Sequence, residues 1–397
     1  MAAVGSCVAL VGIFVNLIVG LSVGPNAALA SLIGQKKRDK IPEMLHTILA
    51  FGVLLGVGLM VLGLLLARVI LEVSGTPESV MGEALVYIRI YLLSIPFMSV
   101  YNFGAAILRS YGDTRRPMYY LIVSGTVNVI LNLVFVIGFG MGVSGVAIAT
   151  WISNIISTIM VLYHLAKRQD EFHLDRKQLK INKKALKKVL QIGIPAGIQG
   201  AIFSISNVFI QSGINSFGED AIAGSSLALN FEYFTYDIAN AFAQAAVTFT
   251  SQNYGAGKYK RMDRVLADCM ILSVGVALVL GCAAYFFGPQ ILQIYTDNSQ
   301  VIGSGMEILS ITTIPYFLCG IMDLIPGALR GVGCSAAPMI LSVIGTVGTR
   351  IVWIYLLFPY HRSLFFLFIS YPGSWLFTIL MQVVCFYYVR KKTIKVL

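Results

Sequence analysis

Apolar runs long enough to cross a lipid bilayer recur along nearly the whole chain of 397 residues. A membrane-spanning helix needs roughly 20 predominantly apolar residues. Only 12% of the residues are charged, whereas a soluble domain has about 25%. A backbone in lipid must satisfy its hydrogen bonds within helices. The sequence therefore predicts an all-α multi-pass membrane protein without a separate soluble domain.

The spans and the loops between them give a topology. We predict eleven spans, at residues 8–30, 47–71, 84–108, 117–138, 143–165, 189–213, 220–247, 267–286, 303–329, 338–358 and 363–389. The loops alternate in charge, and one set holds most of the 29 Lys and Arg residues. The positive-inside rule makes that set cytoplasmic. We expect a cell (inner) membrane location with the C-terminus in the cytoplasm and Met1 outside.

The chain contains an internal repeat. Leu108–Met118 matches Leu329–Met339 at an offset of 221 residues, and both segments follow an apolar run on its basic side. Parallel repeats of this kind are common in secondary transporters. We predict an N-terminal lobe at 1–165, a basic cytoplasmic linker at 166–188 and a C-terminal lobe at 189–397. Span 189–213 finds no partner at this offset, so we expect eleven of twelve helices and a start of the protein upstream.

Several motifs give the chain a family resemblance. They are Leu108–Met118 followed by Asn128 and Asn132, then Met141–Thr150, Ser251–Gly257 and Leu329–Gly333. With these residues the chain resembles the multidrug and toxic compound extrusion (MATE) family, in particular its bacterial DinF-like branch. The resemblance implies two six-helix lobes with a cavity that opens alternately to either side. It also implies that the first helix, often the carrier of an acidic coupling residue, is missing here.

Ionisable residues inside spans are costly, and they mark functional candidates. The predicted spans contain Arg89, Glu232, Asp237, Asp268, Glu307, Asp323 and Arg350. Arg89, Asp268 and Glu307 lie near span ends. Asp323 lies deep in its span between Pro315 and Pro326, and Arg350 lies in the middle of the next span. Two interpretations stay open: the pair neutralises two buried charges, or a proton or sodium ion competes with Arg350 for Asp323. In the second case, Asp323→Asn abolishes gradient-driven efflux.

Glu232 and its sequence neighbours are the second group of candidates. Glu232 is either an acid facing the cavity or a satisfied polar contact, and Asp237 points in another direction on the same helix. Asn207 lies at the position that the repeat aligns with the acidic residue of the missing first helix. A single Asn in a membrane span usually forms a hydrogen bond between helices. The aromatics Phe231, Tyr233, Phe234 and Tyr236 surround Glu232 in sequence, either as walls of a cavity for organic cations or as packing residues.

Other functional classes lack their motifs. No P-loop is present, no HExxH motif occurs, the six cysteines form no CxxC pair, and the four histidines lie at loops or span ends. We therefore expect no enzyme, no cofactor and, despite a net charge of +11, no nucleic-acid partner; a bound metal stays open. We expect a monomer, in contact with membrane lipids and small organic substrates.

These predictions combine into one predicted function with two alternatives. The chain exports small organic, cationic compounds in exchange for H⁺ or Na⁺. One alternative is a flippase for lipid-linked sugars, which needs a strongly cationic cavity that Arg89 and Arg350 alone hardly supply. The other is a truncated, non-transporting fragment of a transporter.

Overall fold

The computed structural model describes residues 2–73 and 76–395, in which every regular element is helical. The first part contains α1 (Ala2–Gly34), α2 (Ile41–Val73), α3 (Glu78–Leu92), α4 (Ile95–Ser110), α5 (Arg115–Asn132), α6 (Gly142–Lys167) and α7 (Lys183–Asn215). The second part contains α8 (Glu219–Gly255), α9 (Tyr259–Gln293), α10 (Ser299–Thr312), α11 (Tyr316–Gly331), α12 (Ala336–Ser342), α13 (Thr349–Val352), α14 (Leu364–Phe368) and α15 (Ser370–Lys395). Turns of π-helix at Leu133–Gly138, Val343–Gly348 and Trp353–Leu357 extend α5, α12 and α13.

The predicted class is confirmed. Within the described ranges, eight helices are long and apolar enough to cross a membrane, and two bent pairs, α3 with α4 and α10 with α11, raise the number to ten. The predicted span 220–247 forms helix α8, but α8 is not among these ten. Its four carboxylates and many small polar residues lower its hydropathy. α8 packs against α9, α10 and α11.

The two bent pairs carry the internal repeat. The chain bends by 41° between α3 and α4 and by 49° between α10 and α11. Pro96 stands in the first turn of α4 and Pro315 is the N-cap of α11, where a missing N–H is tolerated. α4 and α11 begin and end at positions separated by the predicted offset of 221 residues. The repeat found in the sequence is therefore present in the helix bounds.

The contacts divide the chain into two compact units, Met1–Ala201 and Ile202–Leu397. Unit 1 has a core around Leu29, Ile48 and Phe103, and unit 2 has a core around Ile308 and Phe368. The division falls inside α7. The lobe and linker bounds given from the sequence stay a prediction.

The segment between α6 and α7 lies against unit 1. Phe172 and Leu174 are buried in its core. The ring of His46 accepts a hydrogen bond from the amide of Asp175 at 3.0 Å. Arg168 donates through Nε to Asp170 at 2.8 Å and through Nη1 to the hydroxyl of Tyr111 at 2.6 Å. The predicted basic linker is thus attached to unit 1 by apolar and polar contacts.

Candidate functional site

The most deeply buried acid among the predicted site residues is Glu232. Its side chain, on α8 in unit 2, is only 4% exposed. The hydroxyl of Thr312, at the end of α10, lies next to this carboxyl group and donates to the carbonyl of Ile308 at 3.0 Å. Oε1 of Glu232 is buried with no hydrogen-bond partner among the described residues. A buried, incompletely paired carboxyl group is costly in its charged form, which favours the uptake of a cation or a proton.

Arg350 is the cation near Glu232. It is buried in α13, a single turn of α-helix between two π-helical segments, and such segments are frequent at functional sites. Its guanidinium lies 3.9 Å from the ring centroid of Tyr371, and its Nε donates to Ser374 at 3.3 Å. Glu232 and Arg350 interact electrostatically without forming an ion pair. The two charges therefore lie close enough to interact, while the contacts of Arg350 are with Tyr371 and Ser374 on α15.

The predicted pairing of Asp323 with Arg350 is wrong. No ion pair between them is present in the described part of the chain. Asp323 is half-buried on α11 and interacts electrostatically with Arg330, two turns further along the same helix, and with Tyr236 on α8. The reason is the direction of the side chains: Asp323 points toward α8, whereas Arg350 points toward α15. Because the ion pair is absent, the interpretation in which an ion competes with Arg350 for Asp323 is also wrong.

The predicted aromatic group does not enclose Glu232. Phe231 and Phe234 line a pocket of about 200 Å³ among α8, α9 and α10, together with Asn230, Leu292 and Tyr295. Tyr233 is exposed on α8, and Tyr236 lies near Asp323. Successive residues of a helix point about 100° apart, so neighbours in sequence face different surroundings.

The remaining predicted residues lie outside the cluster around Glu232. Asp237 is exposed on α8, which confirms that it points away from Glu232. Asn207 is exposed on α7, and within the described ranges it forms no hydrogen bond to Glu232, Asp323 or Arg350. No group of three or more His, Cys, Asp or Glu side chains suited to a metal ion occurs in the described part of the chain.

Three residues of the site were not predicted from the sequence. Thr312, Tyr371 and Ser374 contact Glu232 or Arg350. Hydroxyl residues are frequent in these spans, and most of them bond to the carbonyl three or four residues earlier in their own helix, as Ser374 also does to Tyr371. Nothing in the sequence separates the three from the others.

Comparisons with known proteins agree with this architecture. A family model described as MatE matches residues 1–134 and 195–356. "Probable multidrug resistance protein YoeA" of Bacillus subtilis is 28% identical over 400 residues, which cover 99% of this chain and 86% of that protein. "Multidrug export protein MepA" of Staphylococcus aureus is 24% identical over 323 residues, which cover 81% of this chain and 71% of that protein.

Solved structures share the fold. An outward-facing multidrug resistance MATE family transporter of the MOP superfamily superposes with a TM-score of 0.88 at 21% identity, covering 99% of this chain and 87% of that one. A MATE transporter of Vibrio cholerae superposes with a TM-score of 0.90 at 21% identity, covering 98% of this chain and 89% of that one. At this level of identity the likeness establishes the fold.

Proposed function

Because the chain belongs to the MatE family of multidrug efflux transporters, we propose that it is a secondary active antiporter that exports small organic cations in exchange for H⁺ or Na⁺. Transport proceeds by alternating access between the two lobes. The observation that carries the proposal is the buried carboxyl group of Glu232, whose Oε1 has no partner among the described residues. A protein that runs on an ion gradient needs such a group, since its occupancy can change during transport.

Glu232 works as the coupling residue through two protonation states. When it is protonated, the carboxyl group is neutral and donates to the Thr312 oxygen, whose own hydrogen is directed to Ile308. When it is deprotonated, the buried negative charge attracts Arg350 away from Tyr371 and Ser374. The two states favour different positions of α13 relative to α8 and α15. Proton binding is thereby linked to the packing of unit 2.

The surroundings of Glu232 favour the proton over sodium. Hard metal cations prefer several oxygen ligands, and no cluster of three acidic, Cys or His side chains exists in the described ranges. A proton needs only the carboxyl oxygen itself.

The substrate class follows from the aromatic pocket and the exposed acid on α8. Phe231, Phe234 and Tyr295 give the pocket flat, polarisable walls, which suit organic cations. Asp237 is exposed on the same helix and attracts positive charge. A flippase for lipid-linked sugars would need cations free for phosphate, whereas Arg350 is engaged by Tyr371 and Ser374. We therefore place export of organic cations ahead of that alternative.

The test is efflux of a fluorescent organic cation from proteoliposomes under imposed proton or sodium gradients. Glu232→Gln keeps the shape of the side chain but cannot change its charge, so proton-driven efflux should fall by at least about tenfold. Asp268→Asn is the matched control, because Asp268 is an exposed acid of unit 2, and its efflux should equal that of the wild type. Asp323→Asn measures whether the half-buried acid on α11 also contributes to coupling.

The outcomes separate the parts of the proposal. Equal proton-driven efflux in wild type and Glu232→Gln removes Glu232 from coupling. Efflux driven by sodium alone makes Na⁺ the coupling ion. No efflux under either gradient contradicts antiport by this chain.

A further inference from the structure

The N-terminal part of α7 carries an unneutralised cationic patch. Seven cations, Arg176, Lys177, Lys180, Lys183, Lys184, Lys187 and Lys188, lie just before and within its first turns, and all are exposed. None of them takes part in an ion pair among the described residues. The sequence holds no Asp or Glu between Asp175 and Glu219. By contrast, Arg116, Arg168 and Arg390 are all paired with aspartates.

A groove continues from this patch along one face of α7. It is shallow and open, with a volume of about 460 Å³, and is lined by Lys183, Lys187, Leu190, Gln191, Ile194 and Pro195, among others. An adjacent face of α7, about 100° away around the helix, packs on α1, where Gly24 contacts Val189 and Gly193. The α7 groove therefore lies beside the face through which the helix is held.

The groove changes from charged to apolar along its length. Lys183 and Lys187 stand one turn apart at its end, and Ile194 and Ile198 further along are 44% and 39% exposed. From Lys187 to Ile198 the helix rises by about 16 Å. α7 is long and apolar enough to span the membrane, so the lysines mark the interface and the isoleucines lie at the depth of the acyl chains. An acidic peptide would match the lysines but not the apolar continuation.

We propose that the α7 groove binds an anionic phospholipid, with its phosphate on Lys183 and Lys187 and an acyl chain along Leu190, Ile194 and Ile198. The first amides of α7 are not available for the phosphate, because the side chain of Asn182 accepts from the amides of Lys184 and Ala185 at 2.8 Å and 3.1 Å. The lysine side chains therefore provide the attraction, as polybasic segments beside spans do for anionic lipids. The same groove would not select a zwitterionic lipid.

Native mass spectrometry of the purified full chain tests this site with phosphatidylglycerol and phosphatidylcholine as probes. The wild type should retain phosphatidylglycerol in preference. Removing a lysine near an anionic headgroup weakens binding by about fivefold, so Lys183→Gln with Lys187→Gln should weaken it by about 25-fold. Lys36→Gln with Lys37→Gln removes the same charge from another exposed loop and should leave retention unchanged. Ile194→Asn should weaken retention while the lysines remain.

Three results would overturn the proposal. They are equal retention of the two lipids, equal retention by the groove and control variants, and displacement of phosphatidylglycerol by soluble glycerol phosphate, which would indicate a phosphate site without an acyl subsite. The experiment measures lipid retention and not transport. Failure of the lipid-binding proposal is therefore distinguishable from failure of the antiport proposal.

Discussion

At the scale of single residues, His46 shows how one ring attaches a loop to a lobe. The ring is buried in α2, with Nδ1 2.6 Å from the carbonyl of Pro42 and Nε2 3.0 Å from the amide of Asp175. A carbonyl only accepts and an amide only donates, so the proton is on Nδ1 and Nε2 accepts. Both bonds require the neutral ring in this one tautomer.

We expect His46→Leu to loosen the segment that follows α6. The substitution leaves the amide of Asp175 without its acceptor, at a cost of about 1–3 kcal/mol. Hydrogen exchange across residues 172–182 should become faster, while exchange in unit 2 stays unchanged. Lys180→Gln is the control, since Lys180 is exposed and its side chain forms no ion pair among the described residues. Unchanged protection in His46→Leu would show that this bond does not hold the segment.

At the scale of elements, the segment between α6 and α7 is held by interactions of Arg168 whose strength depends on pH. The guanidinium of Arg168 lies 4.6 Å from the ring centroid of Tyr111 and 5.3 Å from that of Phe172. Its hydrogen bonds to Asp170 lower the pKa of that carboxyl group below its ordinary value, and the amide of Lys177 lowers the pKa of Asp175 in the same direction. Both groups lie in the loop between α6 and α7.

A depressed carboxyl pKa fixes the sign of the pH effect. The stabilisation is present above the unfolded pKa of about 4 and is lost as the pH falls through the lower folded pKa. A spin label at Arg176→Cys, in a background without the native cysteines, should therefore gain mobility between about pH 5 and about pH 3. Adding Asp170→Asn should make the label more mobile at neutral pH and reduce its response to acid. An identical response in both proteins would exclude Asp170.

The crossing of α1 and α7 depends on small residues. A Cβ at Gly20 would lie 2.5 Å from the carbonyl oxygen of Ala196, and one at Gly24 would overlap the carbonyl oxygen of Val189. Small residues let membrane helices approach closely. Gly12, on the same helix, has open space around it.

We expect Gly24→Ala to destabilise this crossing by about 1–3 kcal/mol, because the backbone of α7 must move away. Gly12→Ala adds the same methyl group without a clash and should be neutral or slightly stabilising, since Ala is the better helix former. Thermal unfolding of the two purified variants in detergent makes the comparison. Similar melting temperatures would mean that α1 and α7 do not pack this closely in the membrane.

At the scale of the whole molecule, the distribution of basic loops predicts the orientation. We expect a membrane-impermeant thiol reagent to label Asp297→Cys in intact cells and Lys391→Cys only in inverted vesicles, each in a background without native cysteines. Both positions are exposed. The reverse pattern would invert the topology, and with it the side on which the α7 groove meets lipid headgroups.

The sequence by itself determined the helical membrane class, the repeat at 221 residues and the family, because hydropathy and short motifs are properties of consecutive residues. The tertiary structure decided which charges meet. Asp323 and Arg350 lie on successive spans but point toward α8 and α15, while Glu232 meets Thr312 from a distant part of the chain. A helix turns its side chains by about 100° per residue, so the face that each acid presents, and its partner, is decided by how the helices pack.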